Sequence, residues 1–404
     1  MPGIRSIPLM SRTHHMPDLW TFWEHVRSTD AARSYLFDQA VFYTEESGYV
    51  VECRNRTPMR LGHSGARGLV WRCPLSNCCN RSQKTTRLDS FFYRMKAPLE
   101  RILMVIYLFM ARTRMTQLEM MTHLHARTLR SIVQGLYYVM EQDLMMDDVK
   151  VGGTDPETGE RIIVEIDESK FGKRKDNRGH TVDGVWVVGG VERTPQRKAF
   201  MMVVRERSAN TLQEIVKRFV LKDSHINTDC WSGYNRLDEI PDMNYLHFPV
   251  NHSENFVDPV HGTHTNTIEG TWNGIKQNVS ARHCTKKMMP WKLVEFIWRR
   301  KHDDDWWGGI MKALSSVQVT PADGSEAGPP RSLLTEVIAE DGQAEDGIEN
   351  LINTILEEHD EDGHRDRRRG IEESSHDTAG SSDQFSNESS YEESDDSDDS
   401  DYIE

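Results

Sequence analysis

The pattern of hydrophobic and polar positions changes period along the chain, and the changes divide it. Near the start, Trp20, Phe22, Trp23 and Val26 share one face of a short predicted helix. Residues 51–97 show no sustained period, and Arg, Gly and Cys are scattered through them. Pro98 is suited to open a helix, and Ile102, Val105, Ile106 and Phe109 follow at helical spacing. A second helix is predicted from about Thr116 to Leu124. A third runs from about Ala126 to Glu141, with Leu129, Ile132, Val133, Leu136 and Val139 on one face. The glycine-rich stretch Gly152-Gly153-Thr154-Asp155-Pro156, followed by Thr158-Gly159, is loop chemistry and marks a domain boundary.

Beyond it the pattern turns to short apolar runs. Ile162–Asp167, Val185–Val191 and Phe200–Val204 read as strands, and Ala209–Val220 as an amphipathic helix. His225–Asp229 and Tyr245–Val250 read as two further strands, followed by a helix starting near Asn266. Three strands, helix, two strands, helix is an α/β pattern: a mixed five-stranded sheet with flanking helices. Residues 285–315 return to helical spacing, with Trp291, Leu293, Val294, Phe296, Ile297, Trp298, Trp306 and Trp307 expected mainly in the core. Residues 332–356 suit one amphipathic helix, and the Ser/Asp/Glu-rich chain after Glu357 is expected to be disordered. The predicted organisation is an N-terminal segment (1–50), a Cys/Arg-rich segment (51–97), a helical region (98–150), an α/β domain (151–315) and a linker with tail (316–404).

Charge sharpens this division. The 404-residue chain carries a net charge of −15, but residues 371–404 hold 13 acidic and no basic side chains. Residues 51–130 hold 15 Lys/Arg against 4 Asp/Glu. A basic front with an acidic tail points to nucleic acid as partner. The short helix, the tight connection near His125 and the longer helix carrying Arg127 and Arg130 read as a helix-turn-helix, with a plain bundle packed on the next domain as the alternative. Trp71-Arg72-Cys73-Pro74-Leu75-Ser76-Asn77-Cys78-Cys79 resembles one knuckle of a zinc ribbon. Zinc needs four ligands in a structural site. Cys53, Cys73 and Cys78 are candidates, a second Cys pair is missing, and His63 is the nearby residue that could complete the set. Arg54, Arg56, Arg60, Arg67, Arg72 and Arg81 around them suit phosphate contacts. Six cysteines in so long a chain do not make a disulfide framework, and the compartment is expected to be reducing. The longest apolar run, Ile102–Ala111, is too short to cross a bilayer, so no membrane partner is expected. The basic run at Arg365-Asp366-Arg367-Arg368-Arg369 suggests nuclear import.

The candidate chemistry lies in three acids. Asp167 and Asp229 each end a strand, and Glu269 sits in the first turns of the helix after residue 264. If the first and fourth strands lie side by side, their terminal carboxylates come within a few ångströms, and the helix can pack across the same edge. Close carboxylates repel unless a cation holds them, and hard oxygen ligands suit Mg²⁺ or Mn²⁺. Two such ions can clamp a phosphodiester for in-line attack. Glu269, Trp272, Asn273 and Lys276 share one helix face at i, i+3, i+4 and i+7, which reads as aimed at a ligand. The plainer reading is a capping box, with Asn266 as N-cap and Glu269 reaching back to it. Glu165 and Glu168 flank Asp167 and are expected to point away from its face. Lys170, Lys173, Arg174 and Lys175 follow the first acid and suit phosphate contacts. Trp231 and Tyr234 suit base stacking or, more simply, core.

Three ordered blocks carry a family resemblance: Glu165–Lys175 with Gly184–Gly190, then Thr228–Tyr234, then His264–Trp272 with Lys276. Together they resemble Merlin-type DDE transposases, eukaryotic relatives of a bacterial insertion-sequence family. The likeness covers roughly residues 155–305. It implies an RNase H-like fold, metal-dependent cleavage and strand transfer, terminal-repeat DNA as substrate, and a ribbon and helix-turn-helix in front. Asp167, Asp229 and Glu269 then become the catalytic and metal-holding acids, with Asn266 as a further candidate ligand because some relatives use Asn in the third position. Dimers or higher oligomers are expected, because two DNA ends must be paired. The rival expectation is a catalytically silent, host-recruited DNA-binding protein on the same scaffold.

Overall fold

The short apolar runs after residue 160 become the strands of one sheet in the computed structural model of the chain, which describes residues 16–65, 68–79, 82–93, 95–172, 184–250, 264–280 and 283–316. Arg67, Arg81, Lys173, Arg174 and Lys175 lie outside the described residues, as do the expected helix at 332–356, the basic run at 365–369 and the acidic tail. The first elements among the described residues are α1 (Leu19–Val26) and α2 (Thr29–Asp38). A small antiparallel sheet follows, of β1 (Arg60–His63), β2 (Leu69–Arg72) and β3 (Gln83–Thr85). Next come α3 (Leu99–Met110), α4 (Met115–Thr122), α5 (Ala126–Asp143) and the single turn α6 (Met146–Val149). The remaining elements are β4 (Val151–Gly152), β5 (Ile163–Phe171), β6 (Val185–Glu192), β7 (Ala199–Val204), α7 (Ala209–Phe219), β8 (Val220–Leu221), β9 (His225–Asp229), β10 (Leu246–Val250), α8 (Asn266–Asn278), α9 (Met289–Lys301) and α10 (Trp306–Ser316).

The main sheet has the order β10-β9-β5-β6-β7. β5, β6 and β7 pair antiparallel, while β9 runs parallel to both β5 and β10. This is the RNase H-like arrangement, and it puts the first and fourth strands side by side as expected. Residues alternate between faces along β6. The Gly189 face meets Trp272 of α8, and the Gly190 face meets Phe200, whose ring stacks on Phe219 of α7. The two helices therefore cover opposite faces, which is why β6 and β7 are buried almost throughout. The Gly152-Gly153 stretch is not a free loop. β4 pairs with β8, the Gly152 amide donates to Glu192 Oε1 (2.8 Å), and the Gly153 amide donates to Ser224 Oγ (2.7 Å). Gly152 has φ of +85°, and a Cβ there would lie 2.2 Å from Ser224 Oγ, so only glycine fits.

The helical region packs around α9 and α10. Phe22 and Val26 of α1 turn inward, but Trp20 (80% exposed) and Trp23 (50%) do not, which corrects the predicted face. Phe22 stacks on Tyr107 of α3, and Trp307 of α10 donates to the Tyr35 hydroxyl. His123, in the left-handed region, ends α4, and the His125 side chain accepts from the Arg127 amide to start α5. Arg127 is exposed on the first turn of α5, while the rest of that helix is largely buried. α4 and α5 pack against each other across a connection at residues 123–125, and α5 also packs on α9, the packing expected of the bundle alternative. Among the described residues, no helix is long and apolar enough to cross a membrane.

A buried charge cluster fastens α9 to both α3 and α5. Glu295 accepts from Lys292 (3.1 Å), Tyr137 (3.1 Å) and Arg299 (2.9 Å). Arg299, 3% exposed, also donates to the carbonyls of Met110 (2.9 Å) and Phe109 (3.0 Å), satisfying the C-terminal end of α3. Burial pushes the Glu295 carboxyl up, but the adjacent Lys292 and Arg299 charges outweigh it and hold it at about 2. A depressed carboxylate contributes stability above its ordinary value of 4.5, and that contribution is lost as pH falls towards 2. Glu295→Gln should therefore destabilise the protein by about 3 kcal/mol near pH 7. The gap to wild type should close between about pH 4.5 and 2, as measured by urea unfolding across pH. A gap that stays constant over that range would contradict the assignment.

Candidate active site

The pairing between β5 and β9 ends at Glu165 opposite Asn227. Asp167 and Asp229 each lie two residues further on, at the same end of neighbouring parallel strands. Their carboxylate oxygens, with one from Glu168, fall within 4.8 Å of one another. Beyond Glu165 no pairing with β9 closes that edge of β5, so side chains from either face can meet there. All three acids are half-buried. Burial pushes the Asp167 carboxyl up, and the charges of Asp229 and Glu269 push the same way; the Glu168 amide and the Trp272 indole pull it back. Glu168 is driven to about 7 by burial together with the Asp229 and Asp167 charges, against Tyr234 and Arg207. Glu168 Oε1 and the Tyr234 hydroxyl are buried without a hydrogen-bond partner of standard geometry. Three convergent half-buried carboxylates form a donor set that fits a hard divalent cation such as Mg²⁺ or Mn²⁺.

Packing fixes Asp167. Gly189 stands directly opposite it on β6. A Cβ on Gly189 would lie 2.7 Å from the Trp272 ring, so the missing side chain is the space the indole occupies. Trp272 Nε1 then donates to Asp167 Oδ2 (2.9 Å). The predicted polar face of α8 is corrected accordingly. Trp272 is buried, and the inward stripe is Ile268, Thr271, Trp272 and Ile275. Glu269, Asn273 and Lys276 stay exposed beside it. Glu269 lies close enough to bias Asp167 but outside the 4.8 Å group.

The capping box centred on Asn266 does not form. Asn266 is the first residue of α8, Thr265 is the N-cap, and Asn266 itself is exposed. The helix is capped by Glu165, whose Oε2 accepts from the amides of Thr267 (2.8 Å) and Ile268 (3.0 Å). Glu165 Oε1 accepts from Arg193 Nε, and Arg193 donates in turn to the His264 carbonyl. Glu165 is fully buried. The expectation that Glu165 and Glu168 both turn away from the site is therefore corrected. Glu165 shares the Asp167 face by the two-residue period and serves as the helix cap, while Glu168 joins the acid cluster.

Basic residues border the cluster. Lys170 is exposed near the end of β5, its Nζ 5.6 Å from the Trp186 ring. Lys276 is exposed on α8, 5.6 Å from the Phe171 ring. Arg127 and Arg130 lie on α5, where Arg130 is half-buried with its Nε unpartnered. Of the two aromatics left open between stacking and core, Tyr234 is core at 1% exposure, and Trp231 is not, at 42%.

The cysteine segment is more complete than its spacing suggested. The sulfurs of Cys53, Cys73, Cys78 and Cys79 all lie within 4.8 Å of one another. Cys79 is the fourth member, and its positive φ of 35° lets neighbouring residues turn both sulfurs inward. His63 instead pairs in β1 and is exposed. A tetrahedral zinc–thiolate site has sulfurs about 3.8 Å apart, and Cys53 and Cys78 stand 3.7 Å apart. Despite burial, the Thr57 and Asn55 amides hold the Cys53 thiol low, while burial and the neighbouring thiols push Cys73 up. A bound zinc would resolve that opposition by holding all four as thiolates.

Two outcomes are expected. Purified protein should carry one zinc per chain, reduced at least tenfold in occupancy under chelator competition by Cys79→Ser and unchanged by His63→Ala, as read by elemental analysis. Unchanged zinc retention in Cys79→Ser would contradict the four-cysteine site. Glu165→Gln should cost about 3 kcal/mol of stability and speed hydrogen exchange at the Thr267 and Ile268 amides by about a hundredfold. Exchange at wild-type rates would show that α8 does not depend on this cap.

No curated protein matches the chain. A family model does: residues 156–301, which contain the acid cluster, Trp272 and the Glu165 cap, match the ISXO2-like transposase domain, so this part of the chain is similar to a DDE transposase domain.

Proposed function

We propose that the protein is a DNA transposase that cuts DNA at transposon terminal repeats and joins it to a target, with Asp167, Asp229 and Glu269 as its acids. The observation that supports this best is the meeting of Asp167 and Asp229 at one end of neighbouring parallel strands, inside the matched domain. The finer placement in the Merlin-type branch is part of the proposal and rests on the three sequence blocks. In this reading Asp167, Asp229 and Glu168 hold divalent metal, with Glu269 or Asn266 joining when DNA is present. When bound, such ions activate the attacking oxygen and neutralise charge on the leaving one. The protein's own groups position the reaction. Trp272 fixes the Asp167 carboxylate, the Glu165 cap holds α8 against β5, and Lys170 and Lys276 meet phosphates on either side. Arg127 and Arg130, with Lys173, Arg174 and Lys175, are the further DNA contacts proposed. A nuclear protein acting as a dimer or larger assembly on paired ends completes the reading.

The alternative is a catalytically silent DNA-binding protein. One observation favours it: Glu269 stays outside the 4.8 Å group. Nicking and joining of labelled DNA carrying the flanking genomic ends, in Mg²⁺ or Mn²⁺, separates the two. Wild type should yield metal-dependent product. Asp167→Asn, Asp229→Asn and Glu269→Gln should each lower the rate about a thousandfold, a loss of about 4 kcal/mol, while DNA binding persists. Loss in Glu168→Gln as well would make it a fourth ligand. Binding without product in every protein would favour the silent reading, and wild-type rates in Asp167→Asn would refute the assigned acids.

A further inference from the structure

Trp231 follows Asp229 by two residues, and its backbone amide donates to Asp229 Oδ1 (3.0 Å). The next turn anchors it, because Tyr234 is buried and Gly233 has no side chain. A Cβ on Gly233 would sit 2.9 Å from Trp231 Cδ1 and Nε1, so the indole edge lies against bare backbone. The ring is nevertheless 42% exposed. Behind it stands a cation: the Arg207 guanidinium is 4.9 Å from the Trp231 ring centroid and 3.7 Å from that of Trp186. Lys170 Nζ lies 5.6 Å from the same Trp186 ring. Lys170 is three residues beyond Asp167 on one strand, and Arg207 is close enough to act electrostatically on Glu168. An anchored indole, a stacked guanidinium and a second cation thus form one surface at the rim of the acid cluster.

A flat aromatic face backed by cations suits a ligand with both a π-face and a negative charge. A nucleotide has both. A base inside a duplex is already stacked and cannot offer its face, so the fit is to an unpaired base. We propose that Trp231, backed by Arg207 and Trp186, is a stacking platform for an unpaired nucleobase of a DNA end whose backbone lies at the acid cluster. The proposal rests on the transposase reading for the identity of that DNA, and it adds the state of the substrate: an end frayed or cut so that a base is free to leave the helix.

The test compares two labelled duplexes of the same sequence, one blunt and one with a few unpaired nucleotides at its end, by fluorescence anisotropy in Ca²⁺. Wild type should prefer the frayed end by roughly five- to a hundredfold, the range of one base–aromatic stack. The preference should survive added salt, because stacking is less screened than phosphate contacts. Trp231→Ala should abolish it while leaving blunt-duplex affinity unchanged, and Trp231→Phe should retain most of it. Arg207→Ala should weaken it without removing the ring, which keeps the test decisive should Trp231→Ala fold poorly. Equal binding of both duplexes by wild type, or an undiminished preference in Trp231→Ala, overturns the platform. Metal-dependent nicking lost in Asp167→Asn would leave the transposase reading standing in that event. A preference that depends on Trp231 in a protein without any nicking activity would keep the platform and overturn the enzyme.

Discussion

The geometry of the acid cluster depends on one buried carboxylate outside it. Glu165 lies two residues before Asp167 and is fully removed from water. An ionised carboxylate there is tolerable only if its oxygens are satisfied, and they are: one faces Arg193, the other the first free amides of α8. The positive end of the helix and the negative carboxylate attract each other, so the contact is electrostatic as well as hydrogen-bonded. It joins the strand that carries Asp167 to the helix that carries Glu269. With the Arg193 and Asn227 bonds to the His264 carbonyl, it sets where α8 begins relative to β5 and so keeps the Trp272 indole aligned with Asp167.

The second charge node, Lys292–Glu295–Arg299, works by the same rule at a different joint. Arg299 satisfies the last carbonyls of α3 while paired with Glu295, so the helical region and the α/β region share a buried interface. Buried ion pairs of this kind add little net stability over an apolar packing, yet removing one partner strands the other charge. They act as registers. The helix pair α4 and α5 is therefore carried at a fixed position through α5 and α9, with Arg127 in the first turn of α5 exposed.

Much of this was legible in the residues. The five strands, the order of helices and the adjacency of the Asp167 and Asp229 strands follow from apolar runs and from where acids end them. What misled was local parity and local capping. Glu165 is two residues from Asp167 and so shares its face, a fact the period itself contains. Asn266 suggested an N-cap because capping is usually sequence-local, whereas the actual cap comes from a strand about a hundred residues earlier. No spacing rule reaches that far. Trp272 read as part of an exposed face because helical spacing cannot show that Gly189 leaves a hollow opposite Asp167. The fourth member of the cysteine group, which could hold zinc, is Cys79, adjacent to Cys78 rather than part of the second Cys pair that the spacing rule looks for; it has a positive φ. Trp231 read as core because large aromatics usually are.

The acid cluster is built against its own charge. Burial and mutual repulsion raise both Asp167 and Glu168, so the folded chain holds carboxyl groups where carboxylates are disfavoured. Such an arrangement is costly unless something else requires it. The groups that pull Asp167 back down are neutral donors, the Glu168 amide and the Trp272 indole, and Arg207, the cation that acts on Glu168, is engaged with two indoles. The local cations are thus committed to rings rather than to the acids. Under the proposed function, that division would leave the oxygens to converge on a small hard ion and the guanidinium to face a nucleotide. The proposed metal site and the proposed base platform would both follow from one partition: Arg207 and Lys170 lie against indole rings, while the carboxylates converge on one another.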